Sequence, residues 1–102
     1  MLFVLYCVDR PESLALRGSL RPEHLAYLRS LGSQVRLAGP LLSDDGSRSI
    51  GSLILLAAPD LRAAEAAQHA DPYAKAGLFA EVRLTPFVGV LPDATQEPAF
   101  TK

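Results

Sequence analysis

Apolar positions fall into four short β-forming runs, with helix-like stretches between the first pair and the last pair. Residues 2–8 (LFVLYCV) are apolar on both alternations and rich in β-formers, which reads as a strand covered on both faces. Asp9-Arg10-Pro11 breaks it. Residues 14–20 fit either a short helical turn or a loop. Pro22 suits the first position of a helix, with Glu23 near its positive end. Leu25, Ala26, Leu28 and Leu31 supply its apolar stripe, and Gly32 is its stop. Residues 34–38 form a second strand, ended by Gly39-Pro40. Asp44-Asp45-Gly46 signals a turn, and residues 50–58 (IGSLILLAA) a third strand. Asp60 caps a helix over 61–70. Asp71-Pro72 interrupts it, because the residue before proline is pushed out of the α region. Asp71 can then cap a short turn reaching Ala76 and closed by Gly77. Residues 79–90 hold the fourth strand, where Pro86 marks an edge or a bend.

This β-α-β-β-α-β order predicts an α+β fold of ferredoxin-like topology, a four-stranded antiparallel sheet with two main helices on one face. Residues 1–91 make the domain; from Pro92 to Lys102 the chain turns polar and aperiodic and reads as a tail. Two helices cover only one face of four strands. Strands one and three are nonetheless apolar on both alternations, and an exposed apolar face of that size is a liability. The same face of a second copy is the simplest cover, so a homodimer is expected.

The 102 residues are 49% hydrophobic and 21% charged, a globular composition. With a net charge of −1 and no Lys/Arg run, nucleic acid is not an expected partner. No apolar stretch is long enough for a membrane span, and Met1 leads straight into a strand-like run. The single cysteine, Cys7, sits in an apolar run and reads as packing. All of this suits the cytoplasm.

Two side chains stand out for chemistry. His24 lies one turn before Leu28 and two before Leu31, on the stripe facing the sheet. Asp71 continues the inward angle of Ala64 and Ala67. A carboxylate meeting that imidazole would fix its tautomer and leave the other nitrogen free to move protons near neutral pH. Against this, a lone histidine in an apolar stripe is usually a bonded core residue, and Asp before Pro-Tyr-Ala is by local rules an N-cap. Spacing alone favours these structural roles. Tyr73 either donates to a substrate or seals the core. Arg17 and Arg21 either face an anionic ligand or are solvated. His69 shares a charged face with Arg62 and Glu65. Two histidines and one cysteine at unrelated spacings match no metal signature, residues 47–51 lack the first glycine of a nucleophile elbow, and no G-x-G-x-x-G occurs. No cofactor is expected.

Ser13-Leu14, Arg17, Arg21-Pro22-Glu23-His24-Leu25-Ala26, Gly39-Pro40, Gly51-Ser52, Asp71-Pro72-Tyr73 and Ala76-Gly77-Leu78 resemble, in that order, the YciI-like (YCII-related) family, from about Leu2 to Val90. Pro86-Phe87 in the last strand is also typical. The resemblance implies a ferredoxin-like fold and a homodimer of the dimeric α+β barrel kind. It implies an active site at His24 and Asp71, which outweighs the structural reading of that pair. It makes Asp9 and Arg17, with Tyr73, candidate substrate-binding residues. By similarity to muconolactone-isomerase-type barrels and to a dehydrochlorinase-like branch, it implies cofactor-independent proton transfer on a small organic molecule. His24 would carry the proton, Asp71 would orient it, and Arg17 or Tyr73 would steady an anionic oxygen. A non-catalytic metabolite-binding or accessory module is the alternative; a haem- or quinone-handling monooxygenase is disfavoured, since no second inward histidine offers itself. Two departures matter. The glycine that usually precedes strand two is Val35 here or has moved to Gly32, which leaves two registers open. The loop over 41–48 is short and the tail from Pro92 lies outside the match, and both bear on the pocket mouth.

Overall fold

The computed structural model of the chain describes residues 1–92. Its elements follow the order β1 (Leu2–Asp9), α1 (Leu14–Ser30), a 3₁₀ turn (Gly32–Gln34), β2 (Val35–Leu42), β3 (Ser49–Ala57), α2 (Leu61–His69), α3 (Pro72–Lys75) and β4 (Phe79–Phe87). The four strands form one sheet in the order β2-β3-β1-β4, with every neighbouring pair antiparallel. This is the expected ferredoxin-like topology. The tail beyond Pro92 lies outside the described residues. No helix among the described residues is long and apolar enough to cross a membrane.

Strand alternation divides the sheet cleanly. Phe3, Leu5 and Cys7 of β1 and Ile54 and Leu56 of β3 point to the helices and form the core with Leu28 and Ala64. Burying such side chains stabilises by about 1.5–3 kcal/mol each. The opposite alternation, Val4, Tyr6 and Val8 with Leu53 and Leu55, faces away from the helices. β3 and β1 approach so closely at Gly51 that a Cβ there would collide with the Cys7 carbonyl.

The first helix begins earlier than the sequence suggests. It runs from Leu14, not from Pro22, and Pro22 lies inside it. Pro22 is on the exposed side, and the carbonyl its ring crowds belongs to Gly18. Proline is tolerated there because the tertiary frame holds both halves of the helix, whose inward side carries Arg17, His24 and Leu28. Ala26, expected in the apolar stripe, is exposed. Gly32, at φ 59°, ends the helix as expected.

β2 also runs further than expected, through Gly39-Pro40 to Leu42. As an edge strand it tolerates a residue without an N–H. β4 is shorter than expected and stops at Phe87, which pairs with Leu2, the first residue of β1. Beyond that rung no strand among the described residues remains to pair with. Asp60 caps α2 by accepting from the Ala63 N–H at 2.8 Å. The turn before β3 forms around Asp45, which accepts from Ser43 and Ser47, with Gly46 at φ 75°.

Candidate functional site

α1 and α3 bring the chemistry together. Asp71 is the N-cap of α3, with Oδ1 accepting from the Tyr73 N–H at 2.9 Å. The same carboxylate accepts from His24 Nδ1, at 2.8 Å to Oδ1 and 3.0 Å to Oδ2. Both side chains are buried. An ionised carboxylate only accepts, so the Nδ1 proton is fixed and the Nε2 lone pair is left free. Nε2 has no partner among the described residues, and it is not a shielded, unsatisfied atom. His24 lines a cavity of about 200 Å³ between α1 and the β2–β3 half of the sheet, and Nε2 is the ring nitrogen left available to it.

Small residues make that space. Ala38, Gly39 and Pro40 of β2 form one wall, and Leu14, Gly18, Arg21, Leu25 and Leu28 of α1 line the other. Tyr73 closes its inner end. The Tyr73 ring stacks on His24 at 3.8 Å, and the Arg17 guanidinium carbon lies 4.7 Å from the same ring. Burial pushes the Tyr73 hydroxyl above its ordinary value, although the nearby Arg17 and Arg21 charges oppose this. The hydroxyl makes no hydrogen bond to another described residue.

Arg17 is buried and held from two sides. Nε and Nη2 donate to Asp9 Oδ2 and Oδ1 at 2.7 and 3.1 Å, and Nη2 also donates to Ser52 Oγ at 2.7 Å. This two-point carboxylate pairing satisfies the buried charge and locks its direction. Nη1 keeps both of its N–H groups, unpartnered among the described residues. Asp9 stands behind Arg17 and does not line the cavity.

His24, Asp71, Tyr73 and Arg17 thus share one site, with Arg21 at its exposed rim. His69 is exposed and stands apart. Cys7 lies in the core beneath. Burial first, and the Asp71 and Asp9 charges second, push its thiol up to about 12. Among the described residues no three His, Cys, Asp or Glu side chains converge as metal ligands do. Sequence reasoning missed Ser52 as a site residue. Its signal was a hydroxyl on the otherwise apolar inward alternation of Ser52, Ile54 and Leu56.

Residues 1–88 match the YCII-related domain. Protein YciI of Escherichia coli is 40% identical over 94 residues, which covers 85% of this chain and 96% of that protein. An uncharacterized protein of Haemophilus influenzae is 36% identical over 94 residues, with the same coverage. Among solved structures, the 5-chloro-2-hydroxyhydroquinone dehydrochlorinase TftG of Burkholderia phenoliruptrix, in complex with 2,5-dihydroxybenzoquinone, superposes with a TM-score of 0.79 at 34% identity. That match covers 85% of this chain and 93% of TftG. A match from the first residue to the end of β4, with relatives covered almost end to end, makes the chain a member of the YCII-related family.

Proposed function

We propose that the protein is a cofactor-independent enzyme of YciI-like type, which moves a proton on a small organic molecule by means of His24 and Asp71. The observation that carries this reading is the split environment of the imidazole: Nδ1 is tied to Asp71, and Nε2 has no partner among the described residues in a ring that lines the cavity. Nε2 takes a proton from a C–H or O–H acid of the substrate, and Asp71 stabilises the imidazolium that forms. Arg17 Nη1 and the Tyr73 hydroxyl steady the oxygen on which charge develops. Asp9 acts by holding Arg17.

The structural similarity to a dehydrochlorinase favours elimination or isomerisation. In an elimination, Nε2 receives the proton while chloride leaves with its bonding electron pair, so the substrate loses HCl. Purified protein incubated with chlorinated hydroquinones and cyclic lactones, followed by chloride release and deuterium exchange, tests the reading. His24→Gln should lower any turnover by about 10²-fold or more. Unchanged turnover in that variant overturns the assignment. Tight binding without turnover would instead favour a metabolite-binding module.

The sheet face opposite the helices supports a homodimer of the dimeric α+β barrel kind. Val4, Val8, Leu53 and Leu55 are only half-buried there, beside the exposed Tyr6 and Leu37. A two-fold partner offers the same apolar surface in return. The lone, buried Cys7 is in keeping with a cytoplasmic setting.

A further inference from the structure

The polar lining of the cavity bears on the charge of what it takes, a question that rests on the functional reading above. Both carboxylates nearby are turned to protein. Asp71 accepts from His24 and Tyr73, and Asp9 from Arg17. Among the described residues, no Asp or Glu lines the cavity. What faces it is a set of donors. Arg17 Nη1 has two N–H groups without an acceptor among the described residues. Ser52 accepts from Arg17 at 2.7 Å and keeps its own hydroxyl hydrogen to give. Arg21 follows Arg17 by four residues, hence on the same helix face. It lines the rim, exposed, with no ion-pair partner among the described residues.

A buried guanidinium with unfilled, fixed donors is complementary to a planar oxyanion. The space is also limited: about 200 Å³ is about seven water volumes, enough for one small substituted ring. The guanidinium carbon and the imidazole lie 4.7 and 3.8 Å from the one Tyr73 ring, so a single such ring can reach both.

We infer that the site selects a small planar organic anion, with its negative oxygen on Arg17 Nη1 and Ser52 Oγ and its acidic hydrogen towards His24 Nε2. Arg21 is the specificity-determining charge at the rim. It draws the anion in and disfavours neutral molecules of the same shape.

Benzoate and benzamide, matched in shape and different in charge, test this by calorimetric titration of the full chain at low and high salt. Benzoate should bind about tenfold more tightly or better, and the advantage should shrink as salt rises. Arg21→Gln, on the exposed helix surface, should weaken benzoate about threefold or more and flatten its salt dependence, with benzamide unchanged. Ala38→Leu, which fills the β2 wall, should abolish binding of both. Equal binding of the pair, no benzoate binding, or wild-type benzoate affinity in Arg21→Gln overturns the inference. His24→Gln separates it from the proton-transfer reading. Benzoate still binding that variant with turnover unchanged would sink the role of His24 and leave the anion class standing. Turnover of a neutral substrate that benzoate does not inhibit would do the reverse.

Discussion

Tyr73 lies flat against His24, with ring centroids 3.8 Å apart and planes 12° from parallel. Arg17 and His24 stand two turns apart on α1, and both touch this ring, so the phenol is a wedge between cation and imidazole. The wedge belongs to α3, whose first turn Asp71 caps. One four-residue helix therefore sets the imidazole by its edge, through Asp71, and by its face, through Tyr73. Tyr73→Phe should keep the stack and most of the stability. Tyr73→Ala should cost about 3–5 kcal/mol in urea unfolding, as expected for a large buried ring. A loss as small as that of the Phe variant would show that the wedge does not hold the site.

Asp71 does two jobs that substitution can separate. Asp71→Asn keeps an oxygen for the Tyr73 N–H, so the cap survives, but it loses the charge beside the imidazole. Its thermal midpoint should stay within a few degrees of wild type. Any turnover found for the wild type should fall by about 10²-fold or more. Asp71→Ala should add a loss of about 0.5–2 kcal/mol in stability from the missing cap. Equal turnover in Asp71→Asn and wild type would reduce the residue to its cap.

The strands and their order are readable in the chain because each buried run is apolar at a period of two or on both alternations, a signal local to the segment. The caps at Asp60 and Asp71 are equally local. The first turns of α1 are not. The inward side chain there is Arg17, its polarity answered by Asp9 at the end of β1 and by Ser52, 35 residues away on β3, and Gly18 and Pro22 lower helix propensity further. Tertiary context makes that helix. His24 and Asp71 were legible as inward residues, but their meeting was not, since the two lie 47 residues apart. The family motif supplied what spacing left open. Ser52 escaped because its hydroxyl, although out of place on an apolar inward alternation, points to no role until its partner Arg17 is placed.

The uncovered sheet face makes a prediction about assembly. Leu55 is central on it, opposite Val4 of β1 and Leu37 of β2. In an isologous contact, Leu55→Glu places two carboxylates against each other across the axis. Sedimentation velocity should show a wild-type dimer and a Leu55→Glu monomer. A wild-type chain that sediments as a stable monomer at tens of micromolar would remove the dimer from the account.

Cys7 gives the fold an alkaline limit. In the unfolded chain its thiol loses a proton near the ordinary 9.0, whereas in the folded chain burial holds the proton to about 12. Between these values the unfolded state binds fewer protons, so stability falls as pH rises through that window; below 9 the contribution is fully present. The slope from one such group is at most about 1.4 kcal/mol per pH unit. Tyr27 and Tyr73, both raised chiefly by burial, push the same way once pH passes their ordinary 10.0. Urea midpoints measured from pH 8 to 11 should therefore decline, and Cys7→Ala should start lower yet decline less steeply between pH 9 and 10. The native thiol should resist a maleimide at pH 8 and react once the chain is unfolded. Rapid labelling of the native protein, or parallel pH curves for the two proteins, would show that this thiol is not held neutral by its surroundings.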